Sequence, residues 1–126
     1  MQAADLGIAS GATALMAFND LMAVGMLKRL RQRGVRVPHD ISVTGFDDVP
    51  VSGLSSPTLT TVGSPRVQMG RASVDLLMNQ VLGRPSDAHL LPELPVNLVV
   101  RDSTGVVAAL SPAAPGANPP LVELPA

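Results

Sequence analysis

The chain has no cysteine, no tryptophan and no tyrosine, and its two aromatic residues are Phe18 and Phe46. Without cysteine there is no disulfide scaffold, no thiol nucleophile and no thiolate-bound metal. Two aromatics cannot build the stacking platform that recognises single-stranded nucleic acid. Two histidines, His39 and His89, are too few for a histidine-rich zinc site. Charge is sparse and balanced: 9 Lys and Arg stand against 10 Asp and Glu, for a net charge of −1. With 46% hydrophobic residues, the chain is neither a supercharged binder nor a disordered polymer. The opening residues Met1 to Gly7 lack a basic region, and the longest nearly apolar stretch, Ala12 to Leu27, is broken by Asn19 and Asp20. Neither a secretory signal nor a membrane span is expected, and the expected location is the cytoplasm. No dinucleotide fingerprint, P-loop or nucleophile elbow occurs, so no cofactor and no enzymatic activity are expected.

Proline and glycine, by contrast, are plentiful, at 12 and 11 of the 126 residues. Five of the prolines fall in residues 106–126, VVAALSPAAPGANPPLVELPA, which carry a single charge, Glu123. That composition predicts a disordered Pro/Ala-rich tail. Ahead of it lie a short N-terminal remnant, residues 1–11, and one ordered domain, residues 12–105.

The ordered part alternates in period. The continuous apolar run from Thr13 to Phe18 predicts a buried parallel strand, ended by Asn19-Asp20. A helix follows in which Ala23, Leu27 and Leu30 share one face, cations crowd the C-terminal half, and Gly34 supplies the stop. A turn at Pro38-His39-Asp40 leads to a second strand, Ile41 to Phe46. Strand, helix and strand make a parallel, right-handed βαβ unit, so the fold class is α/β. Residues 47–58 read as a Pro/Ser/Gly-rich loop, and Leu59 to Val62 as a short strand. Ser64-Pro65 predicts the capped start of a helix over 65–82. Its apolar face runs through Val67, Gly70, Val74, Leu77, Met78 and Val81, with Met78 expected as a core filler. A last strand, Leu94 to Val100, carries Pro95 and is expected at an edge.

In open parallel sheets, ligands bind outside the carboxyl ends of the strands. Two such ends carry the same pattern, Phe18-Asn19-Asp20 and Phe46-Asp47-Asp48. Asn19 offers a donor and an acceptor, and Asp47 an ionised acceptor for two hydroxyl or amine donors. Together with Phe46 they suit a small polar ligand such as a sugar or nucleoside. The alternative is local: Asn19 and Asp20 cap a helix, and Asp47-Asp48 open a turn. Catalysis is poorly served, because neighbouring aspartates on an extended backbone diverge. Magnesium held by Asp20, Asp47 and Asp48 is a weaker reading still, and no metal site is assigned. Five of the nine cations cluster at Lys28, Arg29, Arg31, Arg33 and Arg36. They read as a solvated helix end favoured by the dipole, not as a nucleic-acid footprint.

Five segments carry a resemblance: ALMAFNDLMAVG (14–25), GVRVPHDISVTGFDD (34–48), PTLTTV (57–62), MGRA (69–72) and LVVRDST (98–104). In this order and spacing the chain resembles, over about residues 12–105, the C-terminal part of LacI/GalR-type bacterial transcription regulators. The resemblance implies a periplasmic-binding-protein-like sensor, two α/β lobes closing on an effector, here in incomplete form. It implies that Asn19 and Asp47 contact that effector, a carbohydrate-like or nucleobase-like molecule. It further implies a homodimer, with Val24 and Leu54 as candidate interface residues. DNA would be bound only through an N-terminal helix-turn-helix that this chain lacks. The segment Leu59–Val62 resembles a crossing between lobes, which would set helix 65–82 beside the other lobe. Many members place a long polar side chain after the Thr-Thr-Val strand, where Gly63-Ser64 stands here. A fragment of a solute-binding protein of a sugar transporter is the alternative function.

Overall fold

The computed structural model describes residues 2–84 and 93–106. His89 and the tail beyond Val106 lie outside the described residues. The order of elements is α1 (Gln2–Ala9), β1 (Ala14–Met16), α2 (Asp20–Gln32), β2 (Ser42–Thr44), α3 (Pro50–Leu54), β3 (Thr61–Gly63), α4 (Arg66–Val81) and β4 (Asn97–Val99).

The βαβ unit forms with the order and parallel pairing its pattern predicts. The first strand, expected to be buried, buries none of its three residues, and Met16 stands 86% exposed because no element covers that side among the described residues. β1 and β2 pair in parallel with Ala14 opposite Ser42 and Met16 opposite Thr44, and α2 crosses between them. Asn19 caps α2, its Oδ1 accepting from the Met22 amide at 2.9 Å. At the other end Gly34 takes φ +74°, the left-handed stop that a glycine supplies without a Cβ penalty. α2 buries Ala23, Leu27 and Leu30 against Val43 and Ile41, and these residues with Leu59 hold most of the core. α1 packs on α2, where the Asp5 carboxylate meets the Arg29 guanidinium at 2.9 Å. The segment read as an N-terminal remnant is thus an ordered helix whose Ala4 is fully buried.

β3 joins this body through two parallel bridges, Thr44 to Thr60 and Asp47 to Gly63. β4 pairs antiparallel with β3, Thr61 opposite Val99. The strand expected over Leu94 to Val100 therefore starts only after Pro95, as a residue lacking a ladder donor requires. After β4 the chain turns back along β2: Val43 donates to the Ser103 carbonyl, and the buried Ser103 hydroxyl donates to the Val43 carbonyl at 2.6 Å.

Three local expectations change. The loop over 47–58 contains α3, opened by Pro50 and lacking a side-chain cap. The cap of α4 is Pro65, so Ser64 does not cap. Finally, α4 buries no residue: Val67, Val74, Leu77 and Val81 all stand more than half exposed, and Met78 fills no core in this chain.

Candidate functional site

The carboxyl ends of β1 and β2 and the flank of β3 enclose a cavity of about 550 Å³. Its walls are largely apolar, from Met16, Phe18, Phe46, Val62 and Leu98, with Asp47 at the rim. Phe18 and Met16 are 85% and 86% exposed, so the apolar wall is open on one side. An apolar hollow with few polar groups at its mouth is the usual form of a small-molecule site.

The aspartates at the two strand ends have different surroundings. Asp20 is fully buried and is not among the residues that line the cavity. Its Oδ2 accepts from the Ser52 hydroxyl at 2.5 Å and the Val49 amide at 2.9 Å, while Oδ1 accepts from the Thr61 hydroxyl at 2.5 Å. Gly45 lies against it so closely that a Cβ there would come within 2.2 Å of Asp20 Oδ1. These donors compensate the burial of a polar group that would otherwise be costly. Asp20 therefore knots α2, α3 and β3 together behind the cavity. It does not converge with Asp47 and Asp48, and no group of three His, Asp or Glu suited to a metal ion forms among the described residues.

Asp47 and Asp48 adopt φ +106° and +51°, the left-handed region that non-glycine residues seldom occupy. Such conformations cost on the order of 1–3 kcal/mol each and need support from their surroundings. The Asp47 amide donates to the Val62 carbonyl at 2.9 Å. Arg101 fixes Asp48 Oδ1 at 2.6 Å and the Leu59 carbonyl at 2.8 Å. Arg66 donates to the carbonyls of Asp47, at 2.5 Å, and Asp48, at 3.1 Å. Among the described residues no group hydrogen-bonds the Asp47 carboxylate, in contrast to that of Asp48.

Phe46 and Asp47 line the cavity. Asn19 is the N-cap of α2, where its Oδ1 accepts from the Met22 amide, and it is not among the residues that line the cavity. Leu54 is 82% exposed on α3, whereas Val24 is half-buried against the core. Arg66 and Arg101 carry no signal in the local sequence, because they bond residues 18 and 53 positions away. Three of the five cations of the basic cluster meet two carboxylates. Arg29 and Arg33 share Asp5, and Arg36 meets Asp40. The Arg29 hydrogen bond lowers the Asp5 carboxyl, and the Arg36 hydrogen bond lowers that of Asp40 to about 2.

Comparison with known proteins gives the class. The sequence matches the periplasmic binding protein-like domain over residues 2–104. It is 38% identical over 91 residues to the HTH-type transcriptional repressor PurR of Vibrio vulnificus, covering 72% of this chain and 27% of that protein. It is 42% identical over 105 residues to the HTH-type transcriptional regulator MalR of Streptomyces coelicolor, covering 81% of this chain and 29% of that one. Its fold is similar to that of a LacI family transcriptional regulator from Arthrobacter sp. FB24 in complex with lactose. The TM-score there is 0.69 and the identity 39%, covering 82% of this chain and 40% of the other. The chain belongs to the periplasmic-binding-protein-like domain family, as an effector-sensor domain of the LacI/GalR type. It spans a little over a quarter of the length of the curated relatives it matches. Both of those relatives are transcription regulators.

Proposed function

We propose that the chain is the part of a cytoplasmic transcription regulator that takes a small polyhydroxyl effector, a sugar, at the strand-end cavity. The observation that supports this most is the unengaged Asp47 carboxylate at the rim of an otherwise apolar hollow containing Phe46. A carboxylate accepts two hydroxyl donors, and an aromatic ring beside it covers the apolar face of a sugar ring. Asn19 supplies its free amide as a donor at the neighbouring strand end. Control of transcription then follows if effector occupancy changes DNA binding by a helix-turn-helix of the kind that the names of both curated relatives carry.

Chemical-shift mapping on the full chain with lactose, maltose and adenosine tests the reading. Sugar-dependent shifts should gather at 17–19, 44–47 and 61–62. Shifts confined to the opposite side, around Arg31, Val35 and Pro57, would contradict it, as would a response to adenosine alone.

The same reading includes a homodimer through α2 and α3, supported by the exposed Leu21, Met22 and Leu54 on two helices packed side by side. Leu54 is the stronger candidate and Val24 contributes its outer edge. Leu54→Asp should halve the mass measured by light scattering. An unchanged dimer would move the interface elsewhere.

A further inference from the structure

Among the described residues, Asp47 and Asp48 are the two non-glycine residues with positive φ; they are neighbours in sequence, and Asp47 lines the cavity. In this region an L-residue's Cβ crowds the adjoining carbonyl, so two in succession persist only where surrounding groups over-determine them. Arg101 restrains the Asp48 side chain, and the Val62 carbonyl restrains the Asp47 amide. Neither fixes the two peptide carbonyls that set the turn. Arg66 does. Its Nη1 donates to Asp47 O at 2.5 Å and its Nη2 to Asp48 O at 3.1 Å. Among the described residues this guanidinium forms no ion pair with a carboxylate, unlike those of Arg29, Arg36 and Arg101. Its planar fork matches two acceptors at once, a geometry that a lysine ammonium cannot reproduce.

We propose that Arg66 is a positioning residue for the Asp47 contact: by holding both carbonyls it keeps the turn left-handed and the Asp47 carboxylate at the cavity. The inference rests on the reading of Asp47 as an effector contact. Because Arg66 is the first residue of α4, the same fork joins the position of α4 to that of the carboxylate.

Amide hydrogen exchange, followed by NMR on the full chain, tests this without a ligand. In Arg66→Ala the Asp47 amide should exchange about tenfold faster or more, while Val43 and Ala17 keep their rates, since the loss is a local opening. Arg66→Lys should fall between the two. Adding Asp48→Gly to Arg66→Ala should bring Asp47 back to within about threefold of the original rate, because glycine takes positive φ without penalty. An unchanged Asp47 rate in Arg66→Ala, an acceleration shared equally by Val43, or no rescue by glycine would overturn the proposal. Lactose titration separates it from the effector reading. Affinity lost in Asp47→Ala and kept in Arg66→Ala contradicts the positioning role alone. Affinity kept in Asp47→Ala contradicts the effector reading, and the exchange rates then decide whether Arg66 holds the turn.

Discussion

α2 and α4 carry apolar faces of similar helical spacing, yet they end up in opposite surroundings. α2 buries Ala23, Leu27 and Leu30 beneath β1 and β2, whereas α4 buries no residue. The difference does not lie in their propensities, since both run uninterrupted for 13 and 16 residues. It lies in what surrounds them. The body formed by α1, α2, β1 and β2 contains its own partners, while the apolar side of α4 remains exposed among the described residues. Periodicity thus reports that a face suits burial; it does not report which surface covers it.

Substitutions on the two faces give the largest contrast. Leu30→Ala should cost about 2–5 kcal/mol, because Leu30 is fully buried and its removal leaves a cavity. Leu77→Ala, at 58% exposed, should cost less than about 0.5 kcal/mol. Chemical denaturation of both variants measures the pair, and equal losses would show that α4 is covered in solution.

Asp20 ties α2 to the segments that precede α4, since it accepts from Ser52 in α3 and from Thr61 in β3. Asp20→Ala should cost about 2–3 kcal/mol by stranding buried donors. Hydrogen exchange should place the loss at α3 and β3 more than at α1. A loss of under about 0.5 kcal/mol would mean that the knot is not structural.

A smaller effect belongs to the surface of the body. Arg36 lowers the Asp40 carboxyl to about 2, below an unfolded value of about 3.9. The contact therefore adds stability above about pH 4 and loses it as pH falls toward 2. Asp40→Asn should flatten the stability profile in that window and leave it unchanged at pH 7 in slope. An identical acid profile in the variant would show that the pair contributes nothing in solution, as many exposed ion pairs do.

Much of this architecture is legible in the sequence. The runs from Thr13 to Phe18 and Ile41 to Phe46, the face of Ala23, Leu27 and Leu30, and Gly34 as a stop all depend on neighbours close in sequence, and each appears at its place. What escapes depends on contacts far apart in the chain. α1 is an eight-residue segment held largely by packing on α2 and by Arg29. α3 has five residues and no side-chain cap, so no periodic signal could accumulate. The strand-end pattern drew attention to both Asn-Asp and Asp-Asp pairs, but only the fold separates them. Asp20 turns inward because Gly45 leaves room for its carboxylate and Thr61 and Ser52 supply donors. Among the described residues no group hydrogen-bonds the Asp47 carboxylate, while that of its neighbour Asp48 pairs with Arg101.

Isothermal titration of lactose and maltose into the full chain and its Asp47→Ala variant tests the central claim most directly. Replacing the carboxylate should weaken sugar binding by about 1–3 kcal/mol, or about 5- to 150-fold, through the lost charge-assisted contact. Asp48→Ala should weaken it less, through the turn alone. Equal affinity in the original chain and Asp47→Ala would contradict the account.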